Sequence, residues 1–507
     1  MAFWNRRSKA KPQPKRAPQP QAKRGYDGAG KGYRTDNWNT SGASANSEIG
    51  ASLVDLRKRS RDLYQNAPYG KKAMRGIVRG LIGVKLRPYL PRSKNEAAAL
   101  DLYRRWEKRC YAHSRLGIGG IQHVVADGWV ESGECLVRKS VRSAAEMPGL
   151  PPFQLQVLES DFLDETRDNK NTIQGVEFDP TGAPSAYWLH RRHPGDSTFA
   201  SGLYSTTEVG RVPAAQIAHL ARETRPGQVR GVPFAHAVIM ATWDLDGYND
   251  ANRVRSKGAA CHMASVSGGT EDEDVENPDG MGMTTTSNGT LVTDSDGHPV
   301  EDLRPGGILY APDGKEITFH SPPAAQDHEA TNRVALREIA SGLDQAYESL
   351  SGDLSGVNFS SIKFGLNNER LEMKILRQNF FVPLFLDVVW NWFIEEAILA
   401  GLLPNDPSLY DVEWSEPEFG SADRSNDAKA DAIEIRNGLA SRSQAVARRG
   451  GDITTINDQL LEDRKWRMEN DLVLDSDPGQ TSGAGLYYDD KLAGGQGQGE
   501  EEKPITP

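Results

Sequence analysis

Apolar residues between positions 73 and 81 recur at the spacing of an α-helix. Ala73, Ile77 and Leu81 follow one another at intervals of four residues, and basic residues occupy the other faces. This pattern predicts an amphipathic helix with one buried stripe, and Gly83 is a residue type that commonly ends such a helix. The pattern indicates that helices dominate the first hundred residues.

The period changes to two between Glu134 and about Leu220. Phe153, Leu155 and Val157 alternate with polar residues, so they lie on one face of a strand. Shorter apolar runs follow at residues 176–178 and 186–189. They are separated by turn-like segments at residues 179–182 and 193–195. These features predict a β-rich subdomain.

Long helical patterns return further along the chain. Residues 234–265 contain no proline, and a helix of that length would measure roughly 45 Å, so it needs a partner along its length. Helical patterning resumes at residues 324–350 and 360–401, and short strand-like runs near residues 307–309 and 316–319 lie between the first two helices. The pattern predicts two long helices that flank a small β-element. After these helices, the pattern predicts a short strand at residues 412–414 and further helices as far as Trp466.

Both ends of the chain differ from this body. Residues 1–46 are rich in Lys, Arg, Pro and Gln, and residues 475–507 are rich in Gly and Glu. Such segments bury too little apolar surface to offset the entropy of ordering, so we expect a disordered basic arm and a disordered tail. The arm either contacts nucleic acid or an acidic surface, or it only keeps the chain soluble.

Composition points to a protein that depends on assembly. Hydrophobic residues make up 37%, charged residues 26%, and there are 50 glycines among 507 residues, which is unusual for a compact monomeric enzyme. The three cysteines lie far apart, so neither a disulfide framework nor a zinc site is indicated, and a reducing cytoplasm fits the chain.

No membrane partner is predicted. The basic, polar first forty residues lack the apolar core of a secretory signal. The most apolar segment, residues 380–403, contains Asp387, Glu395 and Glu396, whose charges are costly in hydrocarbon. This segment is typical of an amphipathic helix in water.

Catalytic and metal-binding patterns are lacking in the sequence. Residues 25–32 nearly spell a phosphate-binding loop, but Gly32 replaces the required Ser or Thr and no strand precedes it. The remaining candidates, spaced wrongly for zinc or for a shared magnesium ion, are His219, His236, His262, Asp244, Asp246 and Asp250. We therefore predict no enzyme activity, no metal and no cofactor.

One pattern with chemical meaning lies after Ser361. Basic residues spaced by 7, 4 and 3 share one helix face, and the adjacent Phe364, Leu371 and Ile375 can face a core. Such a stripe can touch DNA phosphates without reading sequence; a solvated or intersubunit face is the alternative. The candidate DNA contacts are Lys363, Arg370, Lys374 and Arg377.

The net charge of −10 indicates a broadly acidic surface, which repels DNA rather than gripping it, and ordinary solubility explains the sign equally well.

An ordered set of short motifs runs from about residue 47 to residue 400. It comprises residues 56–57 with 69–70, Gly133-Glu134, residues 156–161, 175–187, 211–220, the Gly227-Gln-Val-Arg230-Gly231-Val-Pro233 turn, residues 243–251, 305–309, 319–322, and 352–361 with Asn358-Phe-Ser360-Ser361. In this order they resemble the lambda-type family of tailed-phage portal proteins. Two features depart from the family. Lys363 stands where an Arg is expected, and residues 266–300 are unusually acidic and glycine-rich.

The resemblance implies an α+β, mainly helical portal-type subunit with long stem helices, small β-rich clip and wing subdomains, a helical C-terminal crown and disordered termini. The implied regions are an arm (1–46), wing (47–233), stem helix (234–265), clip (266–323), second stem helix (324–350), tunnel loop and wing helix (351–404), crown (405–474) and tail (475–507).

The implied function is a structural head–tail connector. Copies, usually twelve, would form a ring at one capsid vertex, through which double-stranded DNA is packaged and ejected. The implied partners are the terminase large subunit, the major capsid and scaffold proteins, and tail adaptor proteins, with assembly in the host cytoplasm and a final location in the virion. The alternative is a nucleic-acid-processing enzyme of the packaging machinery with a divergent active site.

Overall fold

The computed structural model describes residues 33, 36–196, 208–260, 264–267, 316–319, 328–356, 359–415, 424–449, 451, 453–470 and 472. Within these residues the fold is α+β and mainly helical, as predicted. The α-helices are α1 (Ala45–Asn66), α2 (Pro68–Ile82), α3 (Glu96–Trp106), α4 (Ile118–Ser132), α5 (Ile239–Ala260), α6 (His328–Gly342), α7 (Tyr347–Ser351), α8 (Phe359–Leu376), α9 (Asp387–Leu399), α10 (Arg424–Arg436), α11 (Arg442–Arg448) and α12 (Ile453–Glu469).

The strands are short. They are β1 (Pro88–Tyr89), β2 (Glu134–Val141), β3 (Phe153–Glu159), β4 (Thr172–Ile173), β5 (Val176–Phe178), β6 (Pro184–His190), β7 (Val209–Pro213), β8 (Ile217–Ala221), β9 (Ala264–Ser267), β10 (Glu316–Phe319) and β11 (Glu413–Trp414). They confirm the predicted strands at residues 153–157, 176–178, 186–189, 316–319 and 412–414. The predicted strand at 307–309, the tail and most of the basic arm lie outside the described residues.

Two of the predicted helices begin with recognisable caps. The Ser44 hydroxyl oxygen accepts a hydrogen bond from the Ser47 amide at 3.3 Å at the start of α1, and Pro68 occupies the first turn of α2. Both arrangements suit amides that have no partner within the helix. The helix α2 buries Ala73, Ile77 and Leu81 and ends at Gly83, which confirms the predicted stripe.

The β-rich part consists of two sheets packed face to face. One is antiparallel in the order β3-β2-β8, and the other has the order β4-β5-β6-β7. On β2, Cys135 and Val137 face the helices, whereas Leu136 between them faces the second sheet. Alternation along a strand produces this division. The three-stranded sheet is therefore buried on both sides.

The helical side of the core contains a cluster of aromatic rings. The ring centroids of Trp106 and Phe153 lie 4.8 Å apart, and those of Tyr103 and Phe393 lie 5.2 Å apart. Trp106 is fully buried and donates a hydrogen bond to the Phe153 carbonyl oxygen at 3.0 Å. These contacts fix α3, β3 and α9 around one centre. Cys110 and Cys135 are buried and free, and Cys261 lies outside the described residues.

Both long helices are shorter than predicted. Residues 234–237 form a 3-10 turn, α5 spans Ile239–Ala260, and residues 264–267 form β9, which pairs with β10. The predicted helix 324–350 divides into α6 and α7, because Asp344 between them has a left-handed φ of 53°. The absence of proline could not reveal these ends, which depend on backbone turns and strand pairing.

The predicted helix at residues 360–401 is confirmed as one continuous helical rod. The π-helical segment Arg377–Leu386, which contains Pro383, joins α8 to α9. Proline has no amide hydrogen to donate to a helix carbonyl, which is one reason why the backbone hydrogen bonds of this segment depart from the α-helical pattern. In the described part of the chain, no helix is long and apolar enough to span a membrane.

Candidate nucleic-acid interface

The four predicted DNA-contact residues do not share one environment. Arg370 and Lys374 are exposed on α8, whereas Arg377 is only 3% exposed. Lys363 lies in the first turns of α8, and its side chain falls outside the described residues. The helix therefore presents two of these cations on its surface and turns one inward.

Arg377 has a structural role in the subunit. Its Nε donates to the Leu81 carbonyl oxygen at 2.7 Å, and its Nη2 donates to the Gly80 carbonyl oxygen at 2.9 Å. Both carbonyls belong to the last turn of α2, where helix carbonyls lack partners and cations are favoured. Arg377 thus fastens α8 to α2, and we do not retain it as a candidate DNA contact.

The expectation that Phe364, Leu371 and Ile375 face a core is wrong. Their side chains are 70%, 58% and 38% exposed, whereas Met373 and Leu376 are buried. Two apolar stripes lie side by side on this helix, and the pattern alone does not show which of them the subunit covers. The stripe next to the candidate cations is therefore an exposed apolar surface in one subunit.

Lys374 lines a cleft of about 440 Å³ between the π-helical segment and the β1–β11 ribbon. Asp387 and Glu413 line the same cleft. Burial raises the pKa of Asp387, and the Trp414 indole, which donates to Asp387 at 2.8 Å, opposes this rise. Lys374 thus shares this cleft with two carboxylates of its own subunit.

The other predicted residues do not gather into a reactive centre. His219 bonds Glu134, and His236 Nδ1 lies 2.9 Å from the Pro233 carbonyl oxygen. His262 and residues 25–32 lie outside the described residues.

Among the described residues, one group could share an ion, formed by Glu159, Asp161 and His193. Arg61 already pairs with both carboxylates of that group, so we propose no metal there. Asp244, Asp246 and Asp250 form no such group.

A buried ion network lies where two of the sequence motifs meet. Gly133 ends α4 with a φ of 85°, and an added Cβ there would lie 2.2 Å from the Val232 carbonyl carbon. An added Cβ at Gly231 would lie 2.0 Å from the Gly133 carbonyl oxygen. The two backbones pass at a distance that no side chain permits. This approach brings Arg230 against Glu134.

Glu134 and Arg230 form the centre of this network, and both side chains are fully buried. Arg230 Nε lies 2.9 Å and 3.1 Å from the two Glu134 carboxylate oxygens, and Arg230 Nη2 donates to the nearer one. The Gly231 amide and His219 Nε2 each lie 3.1 Å from Glu134 Oε2. All Glu134 carboxylate positions are thus engaged, which is what a charge at this depth requires.

The network continues outward through α1. Arg57, whose side chain is 3% exposed, pairs with Glu165 and lies 3.7 Å from Glu134 Oε1 and 3.6 Å from Asp161 Oδ1. One turn later, Arg61 pairs with Asp161. Arginines spaced by four residues share a helix face. The helix α1 therefore adds two cations to a site whose acids come from β2 and the residues after β3.

The charges around Glu134 determine its protonation. Burial by itself would raise the pKa of Glu134, but the positive charge of Arg230 and the hydrogen bonds from His219 and Arg230 outweigh it. The pKa of Glu134 consequently lies well below its usual range, and that of Arg230 is raised. Glu134 is thus a permanent anion at neutral pH.

Sequence analysis identified the two motifs but not the network. Gly133-Glu134 and the turn at residues 227–233 both stood out, and they are 96 residues apart at Glu134 and Arg230. Asn46 was missed. Its side chain bonds the Gly227 carbonyl and the Val229 amide, each at 2.9 Å, and so holds that turn against α1. The available sequence signals for the network were an acid next to a glycine, Gly133-Glu134, and an arginine next to a glycine, Arg230-Gly231.

Comparison with known proteins places these features in a family. Residues 31–377 match the family model described as "Phage portal protein, lambda family". A "Probable portal protein" of Halomonas phage phiHAP-1 is 29% identical over 442 residues, which cover 80% of this chain and 79% of the relative.

Solved structures show looser likenesses. A chain in the neck of a native gene transfer agent particle, computed with C12 symmetry, is 16% identical with a TM-score of 0.43, over 79% of this chain and 93% of that chain. A crystal structure of an HK97 family phage portal protein from Corynebacterium diphtheriae is 10% identical with a TM-score of 0.33, over 72% and 95%. These scores are too low to carry an argument, so the assignment depends on sequence.

Proposed function

Because this chain belongs to the lambda family of phage portal proteins, we propose that several copies of it close into a ring at one vertex of a phage head. Its role is that of a portal, the structural head–tail connector of the virion. The family is structural, so the alternative of a nucleic-acid-processing enzyme is not retained. The ring and its contacts are the parts that we propose.

The observation that carries the proposal is the extent of the family match. It begins before α1, includes both sheets, α5 and α6, and ends at Arg377 in the continuous rod. The match therefore includes most of the helices and strands that we assign to the wing and the stem. Exposed apolar stripes on α8 and α5 support it, because monomers rarely leave such surfaces uncovered.

We assign the regions of the subunit accordingly. The body that extends to residue 233 is the wing, α5 and α6 are the stem, and β9 with β10 is the base of the clip. Residues near 351–361 supply the tunnel loop, the rod through α9 belongs to the wing, and α10 to α12 form the crown. The antiparallel packing of α5 with α6 supports the stem assignment, since the two helices project together.

The cargo of the ring is double-stranded DNA, bound without sequence preference. The chain carries a net charge of −10, and a mainly acidic wall holds a duplex only weakly. A few cations, with Arg370 and Lys374 as the candidates that remain on the described surface and Lys363 in the same helix, would supply transient phosphate contacts.

The ring number and partners follow from the family. We propose twelve subunits, docking of the terminase large subunit during packaging, contact with major capsid and scaffold proteins during head assembly, and later binding of tail adaptor proteins. Assembly takes place in the host cytoplasm. The helices α10 to α12 expose apolar side chains such as Ile433, Leu461 and Trp466 among their charged residues, and such surfaces suit contacts with protein partners.

Counting subunits tests the proposed ring. The purified full-length chain is examined by native mass spectrometry and by negative-stain microscopy with rotational averaging. We expect one closed species with a central hole and a mass that is twelve times that of the 55.7 kDa chain. A stable monomer, or an open filament, at concentrations far above the micromolar range would contradict the proposal.

The DNA contacts are tested separately. Arg370→Glu with Lys374→Glu should leave the ring intact and reduce the DNA retained in filled heads, because two candidate cations become repulsive anions. Lys58→Glu with Arg59→Glu, which makes the same charge change on exposed positions of α1, is the control. Equal DNA retention in both double variants would remove the α8 cations from the proposal.

A further inference from the structure

The helix α5 has an apolar face that its own subunit leaves exposed. Met240, Trp243 and Val254 are each 59% exposed, and Gly247 and Ala251 lie exposed between them. The spacings of three and four residues place all five on one face of the helix. They form a continuous stripe of large and small residues, which we call the α5 stripe.

The partner helix α6 lies on the other side of α5. An added Cβ at Gly342 would lie 2.3 Å from Val238 Cγ1, which marks a close approach at one end of the pair. At the other end, His328 Nε2 lies 3.2 Å from Asn249 Oδ1, and the His328 ring stacks on Tyr248 at 5.5 Å between centroids. Position 238 thus lies beside 342 and position 249 beside 328, so the helices are antiparallel.

A second outward face lies on α6. Val334 is 65% exposed, and Ala330, Arg337 and Ser341 are exposed on the same side, whereas Leu336 and Ile339 are buried. We call these four exposed residues the α6 face. Apart from Arg337, whose guanidinium lies 5.4 Å from the centroid of the Tyr347 ring in the same subunit, its side chains are smaller than Met240 and Trp243 of the α5 stripe. The α5–α6 pair thus has different faces on its two opposite sides. Copies of such a pair can stack front to back, and the stack closes into a ring when the rotation between neighbouring copies permits it.

Charge complementarity favours a second copy of this chain as the occupant. The exposed Asp244 borders the α5 stripe six residues beyond Val238, and Arg337 lies five residues before Gly342. At 1.5 Å per residue, these are about 9 Å and about 7.5 Å from the same end of the pair. Copies related by rotation about an axis parallel to the pair keep their heights. In such an arrangement, Asp244 of one copy lies at about the height of Arg337 of the next.

We propose that the α5 stripe of each subunit packs against the α6 face of its neighbour, with Trp243 as the central apolar anchor and Asp244–Arg337 as the flanking ion pair. This inference rests on the proposed ring and specifies its stem contact. At 1.5 Å per residue, Gly247 lies about 13.5 Å from Val238 along α5, and Val334 lies about 12 Å from Gly342 along α6. Gly247 of one copy therefore faces Val334 of the next in the proposed contact. A glycine opposite a valine lets the two backbones approach closely.

A cysteine pair tests the contact. Gly247→Cys and Val334→Cys are combined in a chain that also carries Cys261→Ser. The two native cysteines that remain, Cys110 and Cys135, are buried. An added Cβ at Gly247 meets nothing within 4 Å, so this change should not disturb the fold. Oxidation of the assembled double variant should give a covalent ladder that reaches the full ring on denaturing gels, while each single variant remains monomeric.

The possible outcomes separate this inference from the proposed function. A ring by native mass without a ladder overturns the stem contact and leaves the portal ring standing. Dimers from a single cysteine variant would show a symmetric contact and also overturn it. Absence of any ring from the unsubstituted chain would overturn the proposed ring itself.

A charge swap provides a second test with a rescue. Asp244→Arg alone and Arg337→Asp alone should each raise the concentration needed for ring formation about tenfold, which corresponds to about 1.4 kcal/mol. The chain with both changes should recover the original value. Val84→Ser, at a site that is 90% exposed in the turn after α2, is the control for loss of a surface side chain. Failure of the double variant to recover would contradict the pairing.

Discussion

The regions that we assign to the wing and to the stem are stabilised in different ways. In the wing, the charged Glu134 and Arg230 are fully buried, and every carboxylate oxygen of Glu134 has a partner within the same chain. In the stem, Trp243 is 59% exposed and has large apolar neighbours on the same exposed face. The buried ion network is complete in one subunit, whereas the exposed face of α5 gains partners only in the ring that we propose.

This difference is informative about how a ring-forming chain distributes its stabilising interactions. A buried ion pair tolerates little rearrangement, because separating its charges leaves one of them without a partner in a nonpolar environment. An exposed apolar stripe remains adaptable and gains free energy when a neighbour covers it. A rigid wing that carries an uncovered stem is therefore suited to join a ring after it has folded.

The largest predicted effect concerns the wing. Glu134→Gln removes the charge that balances Arg230 and should lower the free energy of unfolding by about 3–5 kcal/mol, the range for breaking one partner of a buried pair. Urea unfolding of an assembly-deficient subunit such as Trp243→Glu measures it. Glu177→Gln, which removes the charge from an exposed pair with Arg211, should cause a clearly smaller loss. Equal losses would show that the buried network has no special role.

Acid should weaken the wing through the same residue. The folded chain lowers the pKa of Glu134, mainly because Arg230 outweighs the effect of burial. Its contribution is therefore complete above the unfolded value of about 4.5 and is lost as pH falls below it, by about 1.4 kcal/mol per pH unit. Unfolding midpoints measured from pH 7 to pH 3 should decline less steeply in Glu134→Gln than in the parent. Parallel curves would contradict this assignment.

A smaller effect is expected where the rod contacts the last turn of α2. Arg377→Met removes hydrogen bonds to the carbonyl oxygens of Gly80 and Leu81 and should cost about 1–3 kcal/mol of subunit stability. Arg59→Met, which removes an exposed arginine side chain from α1, is the matched control and should change stability little. Thermal unfolding distinguishes the two. Normal stability in Arg377→Met would reopen its candidacy as a DNA contact.

The smallest effect is predicted inside the stem. Asn249→Ala removes the side-chain contact with His328 and should cost about 1 kcal/mol in the isolated subunit. Because the proposed stem contact covers the other face of α5, the same change should alter the ring's dissociation temperature much less than Trp243→Ser does. Comparing the two variants by thermal melts of the ring checks this order, and the reverse order would contradict the proposed stem contact.

Much of the fold was predictable because local patterns encode it. The stripe of Ala73, Ile77 and Leu81 and the alternation at Phe153 and Leu155 identified α2 and β3 correctly. Helix ends were less predictable, since the end of α5 depends on residues 264–267 pairing with a strand some fifty positions later. The pattern of one strand carries no information about such a partner.

The candidate interface was predictable only in part. The spacing of Arg370, Lys374 and Arg377 placed them on neighbouring positions of a helix, but it did not show that Arg377 points into α2. The reason is that helical spacing fixes the relative directions of side chains and not the direction of the core. The buried pair of Glu134 and Arg230 was invisible for a related reason, because glycines far apart in sequence create its close approach.

Hydrogen exchange of the ring and of a Trp243→Glu subunit, followed peptide by peptide, tests the contrast between wing and stem most directly. We predict that amides in β2 and β3 are equally protected in both samples, while those in α5 and α6 gain protection only in the ring. Equal protection of α5 and α6 in both samples, or a gain confined to the wing, would contradict the account.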